Sequence, residues 1–241
     1  MMIRAIVAAL LAGWAINAVT AAPRAPGIES GDYRWNVREG EQSAALKLKG
    51  DRKRGEEVYE VCVACHLPSG AGRPDGSIPQ LAGQHRSVLI KQMADIRAGV
   101  RDNPLMYPFA ATLTEPQELA DVAAYIEGLC VTPEHGRYAG PDAARQVSAG
   151  RQLYEKACRD CHGAKGEGDA ERFHPRIAGQ HYRYLLRQMT EIRDGHRRNA
   201  NPEMVRVIVA YSDEQLVALS AYQASLVVPG SLCRAAPAKS R

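Results

Sequence analysis

Cys62-Val-Ala-Cys65-His66 sets two thiols three positions apart with an imidazole directly after the second, and Cys158-Arg-Asp-Cys161-His162 repeats the pattern. A Cys-x-x-Cys pair by itself is open to three chemistries: a zinc site, a thioredoxin-like redox pair, or covalent attachment of a haem. The histidine discriminates between them. Two thiols on one helical turn can add to the two vinyl groups of a haem, and the next residue then presents its imidazole to the iron. Both cysteine pairs together could build one four-cysteine zinc site. They lie 96 residues apart, however, each with its own histidine and its own downstream sequence, as two independent sites would. A disulfide within each pair, in an oxidising compartment, would leave both histidines unexplained. The spacing therefore predicts two covalently attached haem c groups, held by Cys62, Cys65 and His66 and by Cys158, Cys161 and His162.

Each iron then needs a second axial partner, and methionine there raises the reduction potential whereas histidine would lower it. Met93 and Met189 fall on the apolar stripe of a helix and read as core residues. Met106 and Met204 follow Asn-Pro, which disfavours helix just before them. They lie 40 and 42 residues beyond His66 and His162, enough chain to wrap to the other haem face. Met106 and Met204 are therefore the favoured ligands. His85 and His181 are the rivals and would make bis-histidine haems. Both sit in a Leu/Ile-Ala-Gly-Gln-His context before a helix, which suits capping or hydrogen bonding. His135, His174 and His196 have no counterpart in the other copy and read as surface histidines. Pro79 and Pro175 also repeat. A carbonyl usually holds the outer nitrogen of a haem histidine, and these prolines or their neighbours are candidates to supply it, beside their use as rigid turns.

These residues belong to a duplicated unit. Leu81-Ala-Gly-Gln-His85 returns as Ile177-Ala-Gly-Gln-His181, Met93-Ala-Asp-Ile-Arg97 as Met189-Thr-Glu-Ile-Arg193, and Asn103-Pro-Leu-Met106 as Asn201-Pro-Glu-Met204. So many matches in order across small indels define an internal repeat. Each copy reads as helical, with a helix over 52–62 or 147–158 running into the cysteine pair. A second helix carries the stripe Leu89, Met93, Ile96 or its equivalent Leu185, Met189, Ile192, stopped by Gly99 or Gly195. The last helix opens at Thr114-Glu-Pro-Gln-Glu118 or at Ser212-Asp-Glu-Gln215, both with N-cap and acidic first-turn residues. No alternating run of strand length competes. The expected organisation is a signal peptide over 1–21, an N-terminal extension over 22–50, a first domain over 51–130, a Pro/Gly-rich linker over 131–146, a second domain over 147–233 and a tail over 234–241.

The N-terminal segment carries Arg4, an apolar run from Ile3 to Val19 and small residues before Ala22, as an export signal does. Retention as an anchor, with peripheral association to a membrane, is the alternative. The extension reads as a poorly ordered tail, with a docking arm as the alternative. The formal net charge of +4 would be largely cancelled by haem propionates, and no lysine-arginine block resembles a nucleic-acid arm. Cys130 and Cys233 belong to neither motif and each follows the last helix of a copy. A disulfide between them would tie the C-terminus to the end of the first domain, and two buried free thiols are the alternative.

Over residues 51–230 the chain resembles the dihaem cytochrome c4 family. The resemblance rests on Cys-x-x-Cys-His twice, Leu/Ile-Ala-Gly-Gln-His, Asn-Pro-x-Met and the closing helix with Ala-Ala-Tyr125. It implies an all-α fold of two tandem class I cytochrome c domains related by a pseudo-twofold axis, with haem edges close together. It also implies His/Met ligation through Met106 and Met204, with Pro79 and Pro175 matching the proline whose carbonyl holds the axial histidine. The implied role is a periplasmic carrier passing electrons between respiratory donors and an acceptor such as a terminal oxidase, with redox proteins as partners and no catalysis of its own. A cytochrome subunit of a larger dehydrogenase or oxidase complex is the alternative, followed by a dihaem peroxidase. The altered sequence after Met204, Val-Arg-Val-Ile-Val in place of Tyr-Pro-Phe-Ala-Ala, predicts a differently packed loop in the second copy.

Overall fold

Asp51, Glu115, Asn201 and Ser212 mark where helices begin, and a computed structural model of the protein describes residues 22–36 and 39–228. The expected signal peptide, Cys233 and the C-terminal tail lie outside the described residues. In chain order the helices are α1 Gly40–Lys47, α2 Arg52–His66, α3 Arg86–Arg97, α4 Tyr107–Ala110, α5 Pro116–Glu127, α6 Ala143–Ala157, α7 Arg159–His162, α8 Tyr182–Arg193, α9 Pro202–Ile208 and α10 Asp213–Ser225. Among the described residues the only extended pairing is an isolated bridge between Asp169 and His174. None of their helices is long and apolar enough to cross a membrane.

The two copies build two cores. In the first, α2 crosses α5 around Tyr59, Ile90 and Leu119. In the second, α6 crosses α10 around Tyr154, Leu216 and Leu219. Gly55 and Gly150 sit at these crossings. An added Cβ would run into the carbonyl oxygen of Asp121 at the first and of Ala218 at the second. The backbones approach so closely only because these positions carry no side chain. Tyr59 packs on Tyr125 at 5.3 Å between ring centroids, and Tyr154 on Tyr222 at 5.2 Å. The hydroxyls of Tyr59 and Tyr154 donate to the carbonyls of Leu67 and Gly163, just past each haem motif.

The interface between domains is polar and reciprocal. Gln180 brackets the backbone of Gln80, accepting from its N–H at 3.0 Å and donating to its carbonyl at 2.8 Å. Gln84 brackets Arg176 in the same way, at 2.9 Å for both bonds. His85 Nε2 meets the Glu167 carbonyl and His181 Nε2 the Ala71 carbonyl, each at 2.8 Å. All these pairs exchange under one pseudo-twofold operation. The repeated Ala-Gly-Gln-His segment thus bolts the domains together.

Several boundaries differ from expectation. The linker is not free chain: Val131 and His135 are buried, His135 Nε2 bonds to the Ala224 carbonyl, and α6 begins at Ala143. His135 is therefore no surface histidine. The extension is not a loose tail either, since α1 contributes the fully buried Ala45 to the first core and Arg86 donates to the carbonyls of Ala45 and Leu48. The last helix of copy one is capped by Glu115, one residue later than expected, in a reciprocal box with Glu118. Cys130 is disulfide-bonded.

Candidate haem-binding site

α2 runs unbroken through the first motif, so Cys62, Cys65 and His66 occupy its last turns. In the second copy one extra residue separates Tyr154 from Cys158, where Tyr59 and Cys62 are three apart. The helix breaks there: α6 ends at Ala157, Cys158 is the junction, and α7 carries Cys161 and His162. Both histidines are buried all the same.

His66 Nδ1 lies 3.0 Å from the Pro79 carbonyl and His162 Nδ1 lies 3.1 Å from that of Pro175. Burial pushes both imidazoles below their ordinary range, against the opposing pull of those carbonyls. A neutral ring that donates from Nδ1 keeps the Nε2 lone pair for a metal. Burial also pushes the Cys62 and Cys158 thiols up to about 11. A nucleophilic redox cysteine needs the opposite, a lowered pKa, so neither pair is built as a thioredoxin-like site.

One cavity of about 830 Å³ runs through both domains, its wall including Cys62, His66 and Met106 from the first and Cys158, His162 and Met204 from the second. Cys65 is half-buried and Cys161 exposed. Met93 and Met189 reach the cavity too; Met189 belongs to the second core, while Met93 packs on the first core as Met204 packs on the second. Met106 caps the short helix α4, its N–H donating to Asn103 Oδ1 at 3.1 Å. Met204 differs, lying inside α9. Pro202 opens that helix and the Asn201 side chain caps it by accepting from the Glu203 N–H. Asn-Pro keeps only the residue before proline out of helix; proline itself suits the first helical position.

Neither His85 nor His181 lines the cavity. His181 is used at both nitrogens, its Nδ1 accepting from the Gly136 N–H at 3.0 Å. His174, expected at the surface, lines the cavity 6.3 Å from the His162 ring with Nδ1 buried and unpartnered. His196 is exposed.

Spacing also missed a cationic pair at the seam of the domains. Arg101 donates to Gln92 at 2.9 Å and to Gln188 at 3.2 Å, and Arg197 to Gln188 at 2.9 Å and Gln92 at 3.0 Å. All four side chains line the cavity, and these shared acceptors are neutral. Burial and the neighbouring Arg101 pull Arg197 down to about 10. Two guanidinium groups meeting over neutral amides form a place for carboxylates. Cavity-lining thiols, an oriented imidazole, methionine sulfurs and apolar walls in each half, with this cationic pair between them, fit a haem c and its propionates.

The fold and site together define a c-type cytochrome of two tandem haem domains. A family model for cytochrome c matches residues 52–129 and 147–226. Cytochrome c4 of Azotobacter vinelandii is 33% identical over 191 residues, covering 72% of this chain and 88% of that protein. A protein of Stutzerimonas stutzeri called a thiosulfate dehydrogenase electron acceptor is 32% identical, covering 75% and 90%. Reduced recombinant cytochrome c4 from Pseudomonas stutzeri superposes with a TM-score of 0.64 at 32% identity, over 74% of this chain and 100% of that one. The chain belongs to the cytochrome c4 family. It is an electron-transfer protein rather than an enzyme, and carries two covalent haem c groups.

Proposed function

We propose that the first haem is held through Cys62 and Cys65 with His66 and Met106 as axial ligands. The second is held through Cys158 and Cys161 with His162 and Met204. Each bound haem supplies a one-electron iron couple. The carbonyls of Pro79 and Pro175 orient the histidines, and the Arg101–Arg197 pair receives propionates at the seam. With both axial positions filled, no substrate has access to iron, which leaves outer-sphere electron transfer. The observation that carries this reading is the pair of buried histidines, each tied by Nδ1 to a proline carbonyl and facing one continuous cavity.

Residues 1–21 direct export, and the mature chain from about Ala22 shuttles electrons in the periplasm between respiratory donors and an acceptor such as a terminal oxidase. The first domain is built on α1 to α5 and the second on α6 to α10. The relative called a thiosulfate dehydrogenase electron acceptor favours a second reading, in which such a dehydrogenase is the donor. A chain that co-purifies stoichiometrically with one dehydrogenase from native membranes would be its subunit, and a chain that elutes alone a carrier.

Intact mass of the exported protein under denaturing, non-reducing conditions tests the central assignment. The expected mass is the chain from about Ala22 plus two haems, less two hydrogens for a Cys130–Cys233 bond. A chain without haem, from a host able to attach it, overturns the reading.

A further inference from the structure

Residues 22–36 precede both repeats and lie outside the region matched by the cytochrome c family model. They nevertheless touch both domains at their seam. The Ala25 N–H donates to the Gly99 carbonyl of domain one at 3.2 Å, and the Ile28 N–H donates to the Arg198 carbonyl of domain two at 2.8 Å. Ile28 packs against the second core, and the Tyr33 hydroxyl donates to the Ala200 carbonyl at 3.2 Å. Further along, Trp35 lines the haem cavity with its ring 5.6 Å from Lys91 Nζ on α3.

Arg198 joins the three parts. Its buried guanidinium donates to the carbonyl of Gly99 at 3.1 Å, to the carbonyl of Ala25 and to the Glu29 carboxylate. One side chain of domain two therefore holds domain one and the segment at once. Gly27 lets the segment lie flat on this junction, since a Cβ there would stand 2.6 Å from Arg198 Cβ and 3.0 Å from its carbonyl oxygen. The device is single. At the repeat offset of 96 the residue matching Arg198 is Asp102, which pairs instead with Arg24 of the segment.

We propose that residues 22–36, bolted by Arg198, are a clasp that fixes the two domains against each other and closes the haem cavity at the ends of α3 and α8. Its consequence rests on the two-haem assignment above: the clasp sets the separation and orientation of the haems and so the rate at which they exchange an electron. A polar seam restrains domains less than a large apolar one does. The reciprocal glutamine bonds hold this seam at one place, and the clasp is a second restraint at another. Arg198 is a positioning residue, acting through the domain geometry and not on either iron.

The test uses the full-length haem-loaded protein, with two haems per chain verified by mass so that failed attachment is recognised separately. Gly27→Val lifts the segment without altering either haem domain, Arg198→Gln removes the bolt, and Arg198→Lys restores part of it. In the unaltered protein the Ala25 and Ile28 amides should be protected from hydrogen exchange, with a single thermal transition. Gly27→Val and Arg198→Gln should both abolish that protection and split the transition in two. Both should also slow electron exchange between the haems at least tenfold, with Arg198→Lys intermediate. Amides that exchange freely in the unaltered protein overturn the proposal. So do variants that lose protection yet keep one transition and an unchanged inter-haem rate.

Discussion

His66 and His162 each have one nitrogen spoken for by a proline carbonyl and a burial that keeps the ring neutral. On the proposed ligation, each imidazole would thus be oriented by the chain before iron arrives. The distal side is where substitution is informative, because leucine nearly conserves the volume of methionine but offers no sulfur. Met106→Leu and Met204→Leu should each abolish the methionine-to-iron absorption of one haem and lower that haem's midpoint potential, read by optical redox titration. Met93→Leu should leave both haems unchanged. A Met93→Leu protein that loses the absorption while Met106→Leu keeps it would transfer the ligand role to α3. The two Cys-x-x-Cys-His motifs were legible because attachment chemistry dictates their spacing, whereas the methionines rest on their place after Asn-Pro and not on any spacing that attachment imposes. Arg101 and Arg197 were not legible, since a guanidinium 96 residues from its mate has no local pattern. They become a pair only when the domains close on Gln92 and Gln188.

Each domain depends on a helix crossing made at a glycine. Gly55 and Gly150 have no room for a methyl group, the obstacle in both cases being a rigid backbone carbonyl. Alanine there improves helix propensity, yet the overlap should dominate and cost about 1–3 kcal/mol. Chemical denaturation should show Gly55→Ala and Gly150→Ala with lowered midpoints, whereas Gly31→Ala, with nothing near its Cβ position, should leave the midpoint unchanged. Equal midpoints for all three would mean that the crossings can slide apart at little cost. The helices were foreseen from stripes and caps, and the Ser212–Gln215 box stands as expected. Their ends were less legible. α2 continues through its haem motif, whereas the extra residue after Tyr154 breaks the corresponding helix at Cys158, because hydrogen bonding past an inserted residue must restart.

At the scale of the molecule, reciprocal side-chain-to-backbone bonds hold the halves on one side and the N-terminal segment spans them on the other. Glu29 is one of its fastenings, and its hydrogen bonds with Arg198 lower its pKa from 4.5 to about 2. A carboxylate depressed on folding stabilises the folded form above its unfolded pKa and loses that contribution as pH falls through the folded value. Attachment of the segment should therefore weaken as pH drops from about 4.5 towards 2. Amide exchange at Ile28, corrected for its intrinsic pH dependence, should accelerate over that window, and Glu29→Gln should remove the dependence. A pH-independent protection factor in the unaltered protein would show that Arg198 holds the segment through the backbone carbonyls alone.

The sequence by itself determined what covalent chemistry dictates locally. Cys-x-x-Cys-His needs a fixed order of residues along one turn, and duplication writes that order twice, so the cofactor, the repeat and the helical class were all legible. Tertiary structure alone decided what distant segments do to each other. The repeated Ala-Gly-Gln-His became an interdomain bolt only when Gln84 found Arg176 and Gln180 found Gln80. His135 became buried because the linker lies on α10, and residues 22–36 became part of the molecule because Arg198 reaches them. Those outcomes rest on hydrogen bonds between groups 89 to 173 residues apart. Such partners leave no periodicity or spacing along the chain, and only the closing of two domains brings them within reach.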